Sequence, residues 1–209
     1  TAMAQRIEDY ALIGNSRTAA LVGRNGSIDW LCVPRFDAPA VFAALLGKAE
    51  HGRWLIAPQG RAKAIRRRYR PGTMVLETTW GTRTGWVIVR DVLLVGPWHH
   101  DDERSHTHRR SPTDNDADHV LLRTLRCVNG RVEMHMECEP RVDYGRKAVQ
   151  WEYAGPGYGK AVGRAEGEAL ELTLTTDLRI GFEGGRARAR TTLRDGDTAF
   201  IALSWSAHG

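Results

Sequence analysis

The chain has 209 residues, 42% of them hydrophobic, and a formal net charge of +5 carried by 26 arginines against four lysines. That length suits one large domain, since all-β domains often run so long, and the composition can bury a sizeable core. The longest apolar run, residues 38–46, falls far short of the roughly 18 to 20 residues that a membrane-crossing helix needs. The arginines are scattered rather than gathered into one patch, so no nucleic-acid partner is expected. No charged-then-apolar secretory leader is visible. Cys32, Cys127 and Cys138 are odd in number and lack metal-type spacing, which predicts three reduced thiols in a cytoplasmic protein.

The residues 7–13 open the chain with an apolar stretch that ends at Gly14-Asn15. Residues 19–23 and 27–33 then flank Asn25-Gly26, the commonest signature of a two-residue type I′ hairpin, because both residues tolerate positive φ. Pro34 ends the second strand by removing a backbone donor. Asp37 stands where a helix N-cap belongs, before the apolar run 38–46, which predicts one short helix with Pro39 near its start. Arg35 and Asp37 are thereby placed at the rim of a sheet, with Trp30 and Phe36 beside them. Residues 53–57, 62–69, 74–80 and 85–95 read as successive strands; in the last, Val87, Val89, Asp91, Leu93 and Val95 share one face.

From residue 96 to 118 the sequence turns polar and densely charged, with His99, His100, Asp101, Asp102, His106 and His108. Such a segment offsets little of its ordering entropy by burial and is expected as a mobile surface loop rather than a metal site. Residues 119–128 and 131–139 flank a second Asn-Gly pair, Asn129-Gly130, which predicts a second hairpin. Later strands are predicted over 169–175, 178–182, 186–193 and 198–205, separated by Gly184-Gly185 and Asp195-Gly196. The whole pattern predicts an all-β, antiparallel super-β-sandwich with one short helix, spanning 1–209 as a single domain.

Four segments carry a family resemblance: Ile7-Glu8-Asp9-Tyr10-Ala11-Leu12-Ile13-Gly14-Asn15, the stretch Asn25 to Leu46, His51-Gly52-Arg53-Trp54, and Pro140-Arg141-Val142-Asp143-Tyr144-Gly145-Arg146. In that order they resemble the N-terminal domain of bacterial and archaeal glycoside hydrolase family 15 proteins, the glucoamylase-like and trehalase-like enzymes. The wording of the first two segments leans to the trehalase-like branch. The resemblance implies a parent that hydrolyses α-glucosidic bonds with inversion, using two glutamates on an (α/α)6 barrel that follows this domain. Several hundred further residues would be needed for that barrel, so the 209-residue chain is expected to be inactive, to hold no cofactor, and to have that C-terminal catalytic barrel as its partner.

The residues themselves support no catalytic pair. Inverting glycosidases hold two carboxyl groups ~6.5–9.5 Å apart and retaining ones ~5–5.5 Å, yet neither spacing nor environment singles out two of Asp29, Asp37, Glu77, Asp91, Glu137 and Asp143. Arg35 and Asp37, with Trp30 and Phe36, are candidates for a substrate entrance or an interdomain contact, possible α-glucoside hydroxyls being good partners for both charges. They also fit a plain helix cap and surface ion pair, worth about 1 kcal/mol or less. Asp143, Tyr144 and Arg146 fit a polar cluster reaching the same partner, or a structural turn with Tyr144 in the core. Two other functions remain open: a free-standing carbohydrate-binding module using Trp30, Trp98, Trp151 or Trp205, and a scaffold without a ligand, marked by an exposed apolar patch.

Overall fold

A computed structural model describes residues 5–95 and 119–207, and within them the chain is all-β and antiparallel. The histidine-rich segment and Trp98 lie outside the described residues. One sheet contains β1 (Tyr10–Gly14), β2 (Ala19–Gly23), β3 (Ser27–Cys32), β4 (Ala40–Phe42), β5 (Arg53–Pro58), and, later in the chain, β15 (Gly181–Glu183) and β16 (Arg186–Arg194). The other contains β6 (Lys63–Tyr69), β7 (Leu76–Gly81), β8 (Gly85–Leu93), β12 (Gln150–Tyr153), β13 (Lys160–Arg164), β14 (Leu170–Thr176) and β17 (Thr198–Ala207). A small ladder, β10 (Arg141–Val142) with β11 (Lys147–Ala148), lies at one end.

β9 (Val120–Glu139) belongs to both sheets. Its first half pairs with β8 and β17, its second half with β5 and β16. Asn129-Gly130 is therefore not a hairpin turn but the corner where one continuous strand passes between layers. Gly130 does take a left-handed φ of 68°, as the local sequence demands, and its neighbour Arg131 donates its N–H to Thr84 O at 3.0 Å. A Cβ on Gly130 would lie 2.1 Å from that same oxygen, so only glycine fits. The register slips at Trp86/Val87, a bulge that bends the strand, as strands do where they change sheets. The slip also switches the buried parity, from Leu121, Leu125 and Cys127 to Val132, Met134, Met136 and Cys138.

Two other local expectations are corrected. The first hairpin turns through Gly23 to Gly26, with Gly26 N–H donated to Gly23 O at 3.0 Å. Only Gly26 has positive φ, at 87°, so this is a three-residue loop with a left-handed glycine rather than a type I′ turn. The run 38–46 is not a helix: Ala40–Phe42 is β4, paired with Leu31 and Cys32, and Ala44–Leu46 is a single 3-10 turn. The apolar run has no polar side, and Val41 and Phe42, on opposite faces of β4, are both buried. An extended segment buries both faces at a sheet edge, whereas a helix this short would leave half of the run in water.

Both sheets bury their inner faces in one core that includes Ile13, Ile28, Phe42, Trp54, Leu93 and Leu203. Arg123 sits in the middle of it, fully buried. Its Nε donates to Asp91 Oδ1 at 2.7 Å, and its two terminal nitrogens donate to Trp54 O at 2.7 Å and Gly26 O at 2.8 Å. Its guanidinium carbon lies 5.2 Å from the centre of the Trp54 ring. An arginine of one sheet thus clasps the backbone of the other. A second arginine, Arg67 on β6, closes one side of the sandwich by donating to Asp9 O and Val22 O, with Tyr69 OH donating to Leu12 O at 2.7 Å. The three cysteines are free and buried.

Candidate functional site

The four sequence segments singled out above meet at one end of the sandwich. Asn15, after β1, folds an Asx turn, its Oδ1 accepting the N–H groups of Arg17 and Thr18, both at 2.9 Å. Its side-chain amide donates to Leu94 O at 3.2 Å, beyond the end of β8. Arg17 O then accepts Phe36 N–H at 3.1 Å, and Thr18 Oγ1 donates to Cys32 O. The loop that follows β3 is therefore held from below by the turn that Asn15 starts, and it contains a cis peptide bond at Val33-Pro34.

Gly52 does the same from the other side. Its carbonyl accepts the N–H groups of Ala43 at 3.1 Å and Ala44 at 3.0 Å, while its φ is 100°. A Cβ there would stand 2.9 Å from Val41 O and 3.1 Å from Arg141 N, so β4 and the start of β10 approach over a residue with no side chain. Beyond β10, Asp143, Tyr144 and Gly145 take left-handed φ values of 52°, 53° and 86° in succession. Single non-glycine residues in that region are uncommon and two together are strained. Arg141 Nε braces the turn by donating to Gly145 O at 2.9 Å.

The candidate side chains occupy this end as follows. Arg35 and Asp37 form an ion pair of 3.2 Å whose side chains are 67% and 74% exposed; Asp37 caps no helix. Phe36 and Tyr144 are each 61% exposed, which removes the reading of Tyr144 as a core residue. Arg146 approaches Asp143 at 4.0 Å. Trp30 is half-buried against Cys32, Ala40 and Ala43, and burial pushes the Cys32 thiol pKa up. Nearby on β3, Asp29 accepts hydrogen bonds from Ser27 Oγ and Tyr10 OH, both at 2.5 Å, and burial together with that carboxylate pushes the Tyr10 phenol far up. Through Tyr10, Asp29 thereby ties β1 to β3. Trp151 and Trp205, at 8% and 3% exposure, belong to the core and offer no stacking platform.

Between the loop after β3 and the Asp143 turn lies an open hollow of about 260 Å3, walled by Pro34, Ala38, Val41, Val142, Asp143 and Leu170. The third wall, at the start of β14, was not legible as part of a site. Its signal is only spatial, because Leu170 pairs with Ala207 and so reaches this end across the sheet. Lys147, bonded to Glu168 at 2.7 Å with its pKa raised by that hydrogen bond, fastens the same wall. The loop that carries Arg35 and Asp37 and the turn that carries Asp143 and Tyr144, far apart in sequence, thus each give wall residues to one depression. Asp143 and Glu168 both line it, each beside a cation of its own, Arg146 at 4.0 Å and Lys147 at 2.7 Å, and the rest of the wall is mostly aliphatic, so its chemistry is that of a contact surface.

Comparison with known proteins fits this geometry. A family model described as trehalase-like, N-terminal matches residues 1–95. The chain is 53% identical over 205 residues to a trehalase of Mycolicibacterium smegmatis, covering 97% of this chain and 30% of that protein. It is 51% identical over 205 residues to a trehalase of Mycobacterium tuberculosis, again covering 97% of this chain and 30% of that protein. It is 37% identical over 172 residues to trehalase 2 of Sulfolobus acidocaldarius, covering 82% of this chain and 25% of the archaeal protein. The chain thus spans about 30% of the length of the mycobacterial relatives it matches.

Proposed function

We propose that the chain, whose residues 1–95 match the trehalase-like N-terminal family model, is a non-catalytic part of a trehalase-type glycoside hydrolase of family 15. The identity of 53% to a trehalase, over a match that takes in only 30% of that protein, is the observation that carries this reading. The remaining polypeptide would hold the (α/α)6 barrel and the two glutamates that hydrolyse an α-glucosidic bond, trehalose being the favoured substrate, with inversion. This chain would buttress that barrel with its motif-bearing end and shape one side of the active-site entrance.

Arg35 and Asp37 are the residues for the entrance. They stand exposed at the tip of a braced loop, where a guanidinium and a carboxylate can meet sugar hydroxyls or polar groups of the barrel. An exposed ion pair contributes little to folding, so its placement serves contacts outside the chain. In the full-length enzyme, Arg35→Ala with Asp37→Ala should lower kcat/KM for trehalose about tenfold, a loss of about 1.4 kcal/mol at the transition state. The same double change should leave the unfolding midpoint of the 209-residue chain where it was. Unaltered kinetics and assembly in the full-length variant would count against the entrance role. A carbohydrate-binding module is the weaker reading, because Trp151 and Trp205 are enclosed in the core.

A further inference from the structure

The hollow beside Asp143 is open although its own chain could have filled it. Phe36 lies in the loop between its wall residues Pro34 and Ala38, and Tyr144 follows its wall residue Asp143, yet both remain 61% exposed. Tyr144 is held outward by the left-handed run at Asp143, Tyr144 and Gly145, which the Arg141 bond to Gly145 O fixes in place. The walls are mostly aliphatic: Pro34, Ala38, Val41, Val142 and Leu170 surround a space of about 260 Å3. Exposed aromatics rimming an unfilled apolar depression are the composition of an interface centre rather than of a solvated surface.

Size and polarity decide what the depression takes. Sites for small polar ligands enclose about 300–1,000 Å3 and present several convergent donors and acceptors. This one is smaller and presents two carboxylates, Asp143 and Glu168, each beside a cation of its own, Arg146 at 4.0 Å and Lys147 at 2.7 Å. A disaccharide would lose the hydration of its hydroxyl groups against aliphatic walls that return almost no hydrogen bonds. One large apolar side chain suits the space, and a lysine or arginine next to it would complement Asp143. The relatives supply the source: 205 matched residues make up only 30% of the mycobacterial proteins, so most of such a polypeptide lies outside the matched region.

We infer that this hollow is a socket for the remainder of the same polypeptide, filled by one large apolar side chain with a basic neighbour that pairs with Asp143. The inference rests on the reading of the chain as one part of a longer hydrolase, and it adds where and by what chemistry the two parts lock. In it, Phe36 and Tyr144 close over the inserted side chain and exclude water from the Asp143 pair.

Amide hydrogen exchange of residues 34–42 and 142–146 in the full-length protein, compared with the 209-residue chain, tests the inference. The expected result is at least tenfold slower exchange at both segments in the full-length protein. Ala38→Trp, which fills the socket, should abolish that protection and lower the thermal midpoint of the full-length protein, while the 209-residue chain keeps its own. If Ala38→Trp prevents folding, Ala169→Arg should abolish the protection equally, since Ala169 also lines the hollow, next to Leu170, and is exposed. Equal exchange in both proteins, with the full-length one hydrolysing trehalose, overturns the socket and leaves the functional reading standing. Protection in a full-length protein that hydrolyses no trehalose keeps the socket and overturns the functional reading.

Discussion

Replacing Arg123 by methionine should lower the unfolding free energy of the chain by about 3–5 kcal/mol, the usual cost of removing one partner from a buried ion pair. Arg123 is wholly buried and Asp91 has a side-chain exposure of 2%, so the carboxylate left behind would be buried without its hydrogen-bonded cation. Trp54 O would lose its guanidinium donor, whereas Gly26 O would keep the Ile56 N–H at 3.1 Å. The loss should therefore reside mainly in Asp91. Changing Asp91 to leucine as well as Arg123 to methionine should restore most of the stability, because the unpaired charge disappears with its partner. Denaturant midpoints of the two single variants and the double variant measure this. A cost below about 1 kcal/mol for Arg123→Met would mean that the pair contributes no more than a surface one.

Trp54→Ala should cost a similar amount, about 3–5 kcal/mol, for a different reason. Trp54 has no exposure and lies between the layers, tilted against Phe42 at 6.4 Å between ring centres and beneath Arg123. Removing the indole leaves a cavity, because β5 is fixed on one side by β3 and on the other by β9. Its Nε1 has no acceptor among the described residues, so Trp54→Phe gives up no hydrogen bond there and should cost much less. Since Trp54 and Arg123 touch, the combined variant Trp54→Ala with Arg123→Met should fall short of the sum of the two single losses. Strict additivity in a denaturant titration would show that the two residues act independently.

The strand faces were legible because alternation is a local property. β8 and the second half of β9 bury the residues that their period of two assigns to the core, Val87 and Leu93 in one, Met134 and Cys138 in the other. The same alternation placed Asp91 among apolar residues, and Arg123 stands likewise between Leu121 and Leu125. Opposite charges on the core faces of two strands are the signal of a buried pair, and the register confirms it by setting Asp91 directly against Arg123. The sequence could not say that β8 and β9 are neighbours, because residues 94–119 separate them.

Partner choice explains the other departures. Asn129-Gly130 makes the left-handed bend that its residues favour, but β8, β17, β5 and β16 draw the two halves of β9 into different sheets. A hairpin and a corner share that bend and differ only in their distant neighbours. The run 38–46 carries enough apolar residues for either a helix or a buried strand, and the free edge of β3 beyond Ser27-Ile28 decided for the strand. At the candidate site, Arg35, Phe36 and Asp37 were legible from Pro34 and the strand end. Their meeting with Asp143 and Leu170 depends on Gly52 and on the course of β14, which no local pattern reveals.

Glucose release from trehalose, measured for the 209-residue chain and for the full-length polypeptide at equal molar concentration, tests the functional reading most directly. The account predicts steady release by the full-length protein and none by the 209-residue chain. Release by the 209-residue chain alone, or none by the full-length protein, would contradict it.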